Sequence, residues 1–272
     1  MKKIVTYGIS FILMISILAN IGLGILKNTI LKKEYIMQKM EENNYYENVK
    51  ENIQSGFENY IQQSGLPEEV IEELFTVEDI KQDTEIMLNN IYTNENTVID
   101  VEKIKTKLRE KIYDALADVR LMADDEKSIE EFIEIIGSTY QNEIEHSQWL
   151  SMLNGQIYEV NDKLNKVQIY IYALPIILLV LIFICNIKNL GELIKQIGIS
   201  VLGASILIII AILIVRINVD IKNILILNEA TSIVIRNTIY EILNNLTGIS
   251  IGMGIVAVIL CYLGNFVKIN KK

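Results

Sequence analysis

Residues 193–215 read LIKQIGISVLGASILIIIAILIV. Their one charge, Lys195, stands near the start of the run. A helix rises about 1.5 Å per residue, so this run is long enough to cross the roughly 30 Å hydrocarbon core of a bilayer. Three other stretches share its character: Ile4–Leu26, Val167–Ile187 and Gly248–Val267. None of those carries a charge, and the Lys195 ammonium can snorkel to the interface. The predicted fold is all-α: a four-span transmembrane helix bundle, with a helical domain inserted between spans 1 and 2 and a helical hairpin between spans 3 and 4.

Composition agrees with a chain divided between lipid and water. It has 272 residues, 51% hydrophobic and 22% charged, with a mean hydropathy of +0.31. A single water-facing domain rarely combines these. Residues 28–166 hold 30 acidic and 14 basic residues, a net charge of −16 against −9 for the whole chain. Such a surface repels nucleic acid and anionic headgroups, so nucleic-acid binding is excluded. The abundance of Ile, Lys, Asn and Glu, with only 2 prolines, is the usage of an AT-rich bacterial genome. A polar region without cysteine points to a Gram-positive source. Cys185 and Cys261 both fall in apolar runs and read as packing residues.

The expected organisation follows the hydropathy. Residues 1–27 form the first span, read as an uncleaved anchor because its apolar run exceeds a signal-peptide core. Residues 28–166 form the acidic domain. Residues 167–192 are the second span and a turn, and 193–216 the third span. Residues 217–247 make the hairpin, and 248–272 the fourth span with a basic tail. Lys2, Lys3, Lys188, Lys195, Lys268, Lys271 and Lys272 cluster at one side of this layout. The positive-inside rule makes that side cytoplasmic, with both termini, and places 28–166 and 217–247 outside the cell membrane. Within this sequence that leaves no cytoplasmic segment large enough for a kinase, an ATPase or a DNA-binding unit.

Inside the acidic region the apolar period is helical throughout. Val49, Ile53, Phe57 and Ile61 make one stripe, ended at Gly65 and restarted at Pro67. Thr76–Asp79 approximates a capping box, Asp100 is placed to cap the next helix, and Ser128–Glu131 matches the capping-box pattern. From Ser128 the period is expected to continue as one helix, bent near Gly155, into the second span.

Chemistry is sparsely signalled. The single histidine, His146, lacks the partners of a metal or catalytic site. Phosphate loops and nucleophile elbows are absent from the sequence, and Asp124–Glu126 lacks the glycine and alternation of a calcium loop. The chain is therefore expected to be non-enzymatic, with no cofactor and no metal. The lipid bilayer and a membrane or envelope protein are its expected partners. The leading function is binding or sensing of a partner by the outer domain. The alternative is a subunit of a transport, permease or channel complex. The layout, a large outer loop after span 1 and a smaller one after span 3, is similar to that of ABC-type permeases of the mechanical-transmission kind, which implies a mechanical role.

Two sets of residues are candidates for contact. Ile235, Ile239, Ile242, Leu243 and Leu246 recur at helical spacing where a short polar turn would suffice. Their stripe is predicted to cover the 28–166 domain or a partner. Gly248 with Gly252, and Ser200 with Ala204, stand four residues apart, the spacing that lets membrane helices approach closely.

Overall fold

The structure is a computed structural model and describes residues 2–118, 122–145, 155–225 and 229–269. Among these residues the chain is all-helical. The helices are α1 (Lys2–Asn28), α2 (Lys33–Glu42), α3 (Tyr45–Ser64), α4 (Val77–Thr93), α5 (Glu102–Ala115), α6 (Ala123–Glu145), α7 (Gln156–Asn186), α8 (Leu190–Asn218) and α9 (Glu229–Ile269). Short 3₁₀ turns stand at Glu68–Val70 and Ile221–Asn223. Four helices are long and apolar enough to cross a membrane: α1, α7, α8 and α9. At most 33% of their most apolar windows is buried within the protein, so most of those side chains need an apolar solvent.

The chain forms two compact units: Met1–Lys32, Asn161–Leu225 and Ile235–Lys272 in one, Lys33–Val160 and Ile226–Val234 in the other. In the span unit, α1 packs along α8. Ser200 Oγ donates to the Ser10 carbonyl at 2.9 Å, and Met14 Sδ fills the space left by the missing side chain of Gly203. Leu13 is buried with Leu178 and Ile182 of α7. Asn20 Nδ2 donates to the Ile171 carbonyl of α7 at 2.8 Å, and Lys27 reaches Asn165 and Gln168 of the same helix.

The second unit is built on α3 to α6. Val49, Ile53 and Phe57 of α3, Ile80 of α4, Leu108 and Ile112 of α5, and Ile133, Ile136 and Tyr140 of α6 are completely buried. Phe75 stands between Phe57 and Tyr140, with ring centroids 5.8 and 5.2 Å away. Ala230 and Val234, from the first turns of α9, complete this core. The α5–α6 seam is held by Lys105–Glu134 and by a bidentate Arg109–Glu130 pair. The Lys105 stem crosses α6 at Gly137, where a Cβ would come within 2.6 Å of its Cε.

Local signals decide most helix ends. Gly65 closes α3 in the left-handed region at φ +73. Thr76 and Asp79 form a complete capping box on α4, each side chain bonding the other residue's backbone N–H. Asp100 Oδ1 accepts from the Glu102 amide at 3.0 Å.

Several expectations are corrected. Pro67 opens only a 3₁₀ turn, although Val70, Ile71, Leu74 and Phe75, which the sequence spaces as the apolar face of a helix starting there, are all buried. Ser128 caps nothing. Helix α6 already begins at Ala123, where Asp125 Oδ2 accepts from the Met122 amide, and Ser128 Oγ donates to the Asp124 carbonyl inside the helix. The helix expected to run unbroken into span 2 is interrupted, because Gly155 has φ +77 and α7 starts after it. Residues 29–32 separate α1 from α2. The hairpin lacks its first arm: α8 stops at Asn218, Val219 is extended, and 221–223 make one 3₁₀ turn. The sequence pattern puts the hairpin's turn near Asn228–Ser232; Ser232 instead lies inside α9, and Asn228 falls outside the described residues. So do His146 and two positions of the apolar helical period, Val119 and Leu153.

Asp79 supplies a pH test. Partial burial pushes its carboxyl up, but hydrogen bonds from Lys103 and Thr76 outweigh this and hold it at about 2. A carboxylate depressed from 3.8 adds stability above its unfolded value and loses it as pH falls toward 2. Asp79→Asn is expected to destabilise the unit by on the order of 1–2 kcal/mol at neutral pH. The difference from the parent protein should close between about pH 4 and pH 2. Denaturant unfolding of the full chain in detergent across that range checks it; a pH-independent difference would sink the assignment.

Candidate functional site

The stripe Ile235, Ile239, Ile242, Leu243 and Leu246 lies within α9, and none of the five is exposed. Leu243 is buried against Ile208 and Ile212 of α8 and Ile221 of the second 3₁₀ turn. Ile239 and Leu246 join the same cluster, with Leu18 and Ile21 of α1. Its neighbours are residues of the span unit. The α9 residues that enter the acidic unit's core, Ala230 and Val234, stand just before the stripe and were not in the predicted set. The stripe thus continues the apolar wall of the spans toward their polar ends.

The small residues divide into two groups. Ser200 and Ala204 are buried, at 2% and 0% exposure, on the α8 face toward its neighbours. Gly248 and Gly252 are exposed, and a Cβ at either would meet nothing within 4 Å. The close approach of α9 to α8 uses another face of α9. There Ser205 Oγ donates to the Ser250 carbonyl at 2.7 Å, and a Cβ on Gly254 would sit 3.2 Å from that hydroxyl oxygen. A Cβ on Gly198 would lie 2.8 Å from Cys261 Sγ and 3.1 Å from the Ala257 carbonyl oxygen. One on Gly264 would lie 2.6 Å from the Gly191 carbonyl oxygen. The sequence carried this seam as Gly254, Ala257, Cys261 and Gly264, whose spacings of three, four and three follow one helical face.

In the acidic unit, polar groups with altered titration serve packing. Tyr140 Oη donates to Asp83 Oδ2 at 2.6 Å. Burial raises the Asp83 carboxyl, the Tyr140 bond opposes this, and the Asp79 and Asp100 charges add to the rise. Burial and the same carboxylate raise the Tyr140 phenol. Acidic residues near Asp124 have structural engagements too, since Asp125 caps α6, Glu130 holds Arg109 and Glu134 holds Lys105. Among the described residues no group of three or more His, Cys, Asp or Glu side chains is placed to hold a metal ion.

Two cavities flank the stripe. A polar one of about 700 Å³ opens where α8 ends, lined by Arg216, Asp220, Lys222, Tyr240 and Asn244 among others. An apolar crevice of about 300 Å³ lies among Leu18, Gly22, Ile212, Val215, Leu243 and Leu246. No single sequence motif marked them: the crevice joins α1 to α8 and α9, and the polar cavity joins the end of α8 to Tyr240 and Asn244 of α9. No family model matches the chain, and comparison with curated proteins and with solved structures returns no match.

The seam generates a paired test. Gly198→Ala drives a methyl group into backbone and sulfur of α9 and is expected to cost about 1–3 kcal/mol. Gly252→Ala, facing open space, should be neutral or slightly stabilising through its better helix propensity. Thermal unfolding of the two variants in the same detergent separates them; equal loss would place Gly252 in a contact.

Proposed function

We propose that the chain is a non-enzymatic four-span protein of the bacterial cell membrane whose acidic helical domain binds, and through binding senses, a protein partner outside the membrane. The observation that carries this reading is α9. Its first turns contribute Ala230 and Val234 to the core of the acidic unit, and the same unbroken helix continues to Ile269 as the fourth candidate span. A partner that alters the packing of α4 to α6 therefore acts on a core containing part of a membrane helix. The domain's net charge of −16 favours a basic protein surface as the thing bound. Basic residues Lys2, Lys3, Lys188 and Lys195 support placing the domain outside.

The transport reading finds less support. Hydroxyl and amide groups within the spans donate across helices to the Ser10, Ser250 and Ile171 carbonyls, which is the chemistry of packing. The described part of the spans carries few ionisable groups of the kind that line a proton or ion path.

Orientation is tested with single cysteines in a Cys185→Ser, Cys261→Ala background. Ser128→Cys and Leu225→Cys, both exposed positions, should react with an impermeant maleimide on intact cells. Lys188→Cys should react only after permeabilisation; the reverse pattern inverts the topology. Photo-crosslinkers at Glu58 and Val98, both exposed, should capture an envelope or secreted protein in living cells. Capture confined to membrane-embedded transport subunits, or solute flux through the purified protein in liposomes, would replace this reading by the transport one.

A further inference from the structure

We propose that the C-terminal end of α8, with α1 and α9, forms a binding site for one anionic phospholipid. The polar cavity and the apolar crevice adjoin on the same two helices: along α8 the crevice is lined up to Val215 and the polar cavity from Arg216, and on α9 Leu243 lines the one and Asn244 the other. Ile221 and Tyr240, from the polar wall, pack in one cluster with Ile212, Val215, Leu243 and Leu246. The combined site is charged at one end and apolar at the other, the complement of a lipid.

The charge at the polar end suits a phosphodiester. Arg216 stands in the last turn of α8 and commits one Nη2 bond to Asn244 Oδ1 at 3.1 Å. The guanidinium's other donors remain for an anion. Lys222 adds a second cation, and among the described residues neither is in an ion pair. Asp220, the acidic residue of the wall, accepts from Asn223 Nδ2 at 2.7 Å. Two cations and one carboxylate leave a single positive charge for one phosphate. Tyr240 has the amphipathic ring typical of the headgroup level.

The crevice suits an acyl chain. From Arg216 down to Leu207, the deepest α8 residue of its wall, is nine residues, or about 14 Å along the helix axis. Half of a roughly 30 Å hydrocarbon core is about 15 Å, the depth one leaflet's chains reach. Gly22 leaves the crevice open, since a Cβ there would meet nothing within 4 Å. A volume of about 300 Å³ takes a chain but is too narrow for a helix some 10 Å across. This site is independent of the partner-binding reading of the acidic domain.

The test uses the full chain purified in detergent, equilibrated with equimolar phosphatidylglycerol and phosphatidylcholine and weighed by native mass spectrometry. Phosphatidylglycerol should be retained in preference. Arg216→Gln with Lys222→Gln, at exposed positions, should lower that preference on the order of tenfold with helical content unchanged. Gly22→Phe should lower retention of both lipids by filling the crevice; if it fails to fold, the double variant decides alone. Equal retention of the two lipids by the parent protein, or an unchanged preference in the double variant, would overturn the proposal. So would displacement of the lipid by millimolar inorganic phosphate, which would mark a site for the free anion.

Discussion

Within lipid an apolar side chain gains nothing by exchanging one apolar neighbour for another, so the span unit depends on how closely α8 can be approached. Residues on α8 supply that closeness on two sides. Ser200 and Gly203 receive α1, while Gly191, Gly198 and Ser205 receive α9. The hydroxyls bond backbone carbonyls of the facing helix, so each contact satisfies a polar group that hydrocarbon would leave bare. Long aliphatic side chains elsewhere on these helices face outward, where lipid serves them as well as protein would.

The acidic unit rests on the opposite physics. Water supplies its drive, and its core is a conventional interdigitation of Ile, Leu and aromatic side chains from four helices. Its excess of carboxylates would strain a compact fold through self-repulsion. Part of the excess is absorbed locally: Asp79 and Asp125 cap helices, and Glu130 and Glu134 pair along the α5–α6 seam. The exposed pairs add little to stability individually but fix how α5 and α6 align.

The spans were legible because a run of twenty apolar residues has few other readings. Core stripes on α3, α5 and α6 were legible for a similar reason, each repeating at helical spacing along its helix. Short windows misled. Ile221 and Ile224 are three apart, a separation shared by an α-helix and a 3₁₀ turn, so their pattern could not exclude the turn that forms. Ser128–Glu131 matched a capping pattern, but Asp125 lay upstream and started the helix first. The pairing of Gly248 with Gly252 gave a spacing but no rotation, and which face of α9 meets α8 depends on every contact along the seam. Both cavities were beyond any local pattern, since the crevice exists only once α1, α8 and α9 are assembled, and the polar cavity only once the end of α8 meets α9.

Cys261 gives the α8–α9 seam a property beyond shape. Its sulfur lies against the space left by Gly198 and 3.9 Å from the Lys195 carbonyl oxygen, whereas Cys185 is exposed on α7. The chain thus carries two native thiols in unlike settings, one facing the surrounding medium and one lodged between helices. Their relative reactivity toward a small, membrane-soluble thiol reagent makes a built-in gauge of the separation of α8 and α9. Any event that parts those helices would register there as a change in chemistry before it registered as a change in fold.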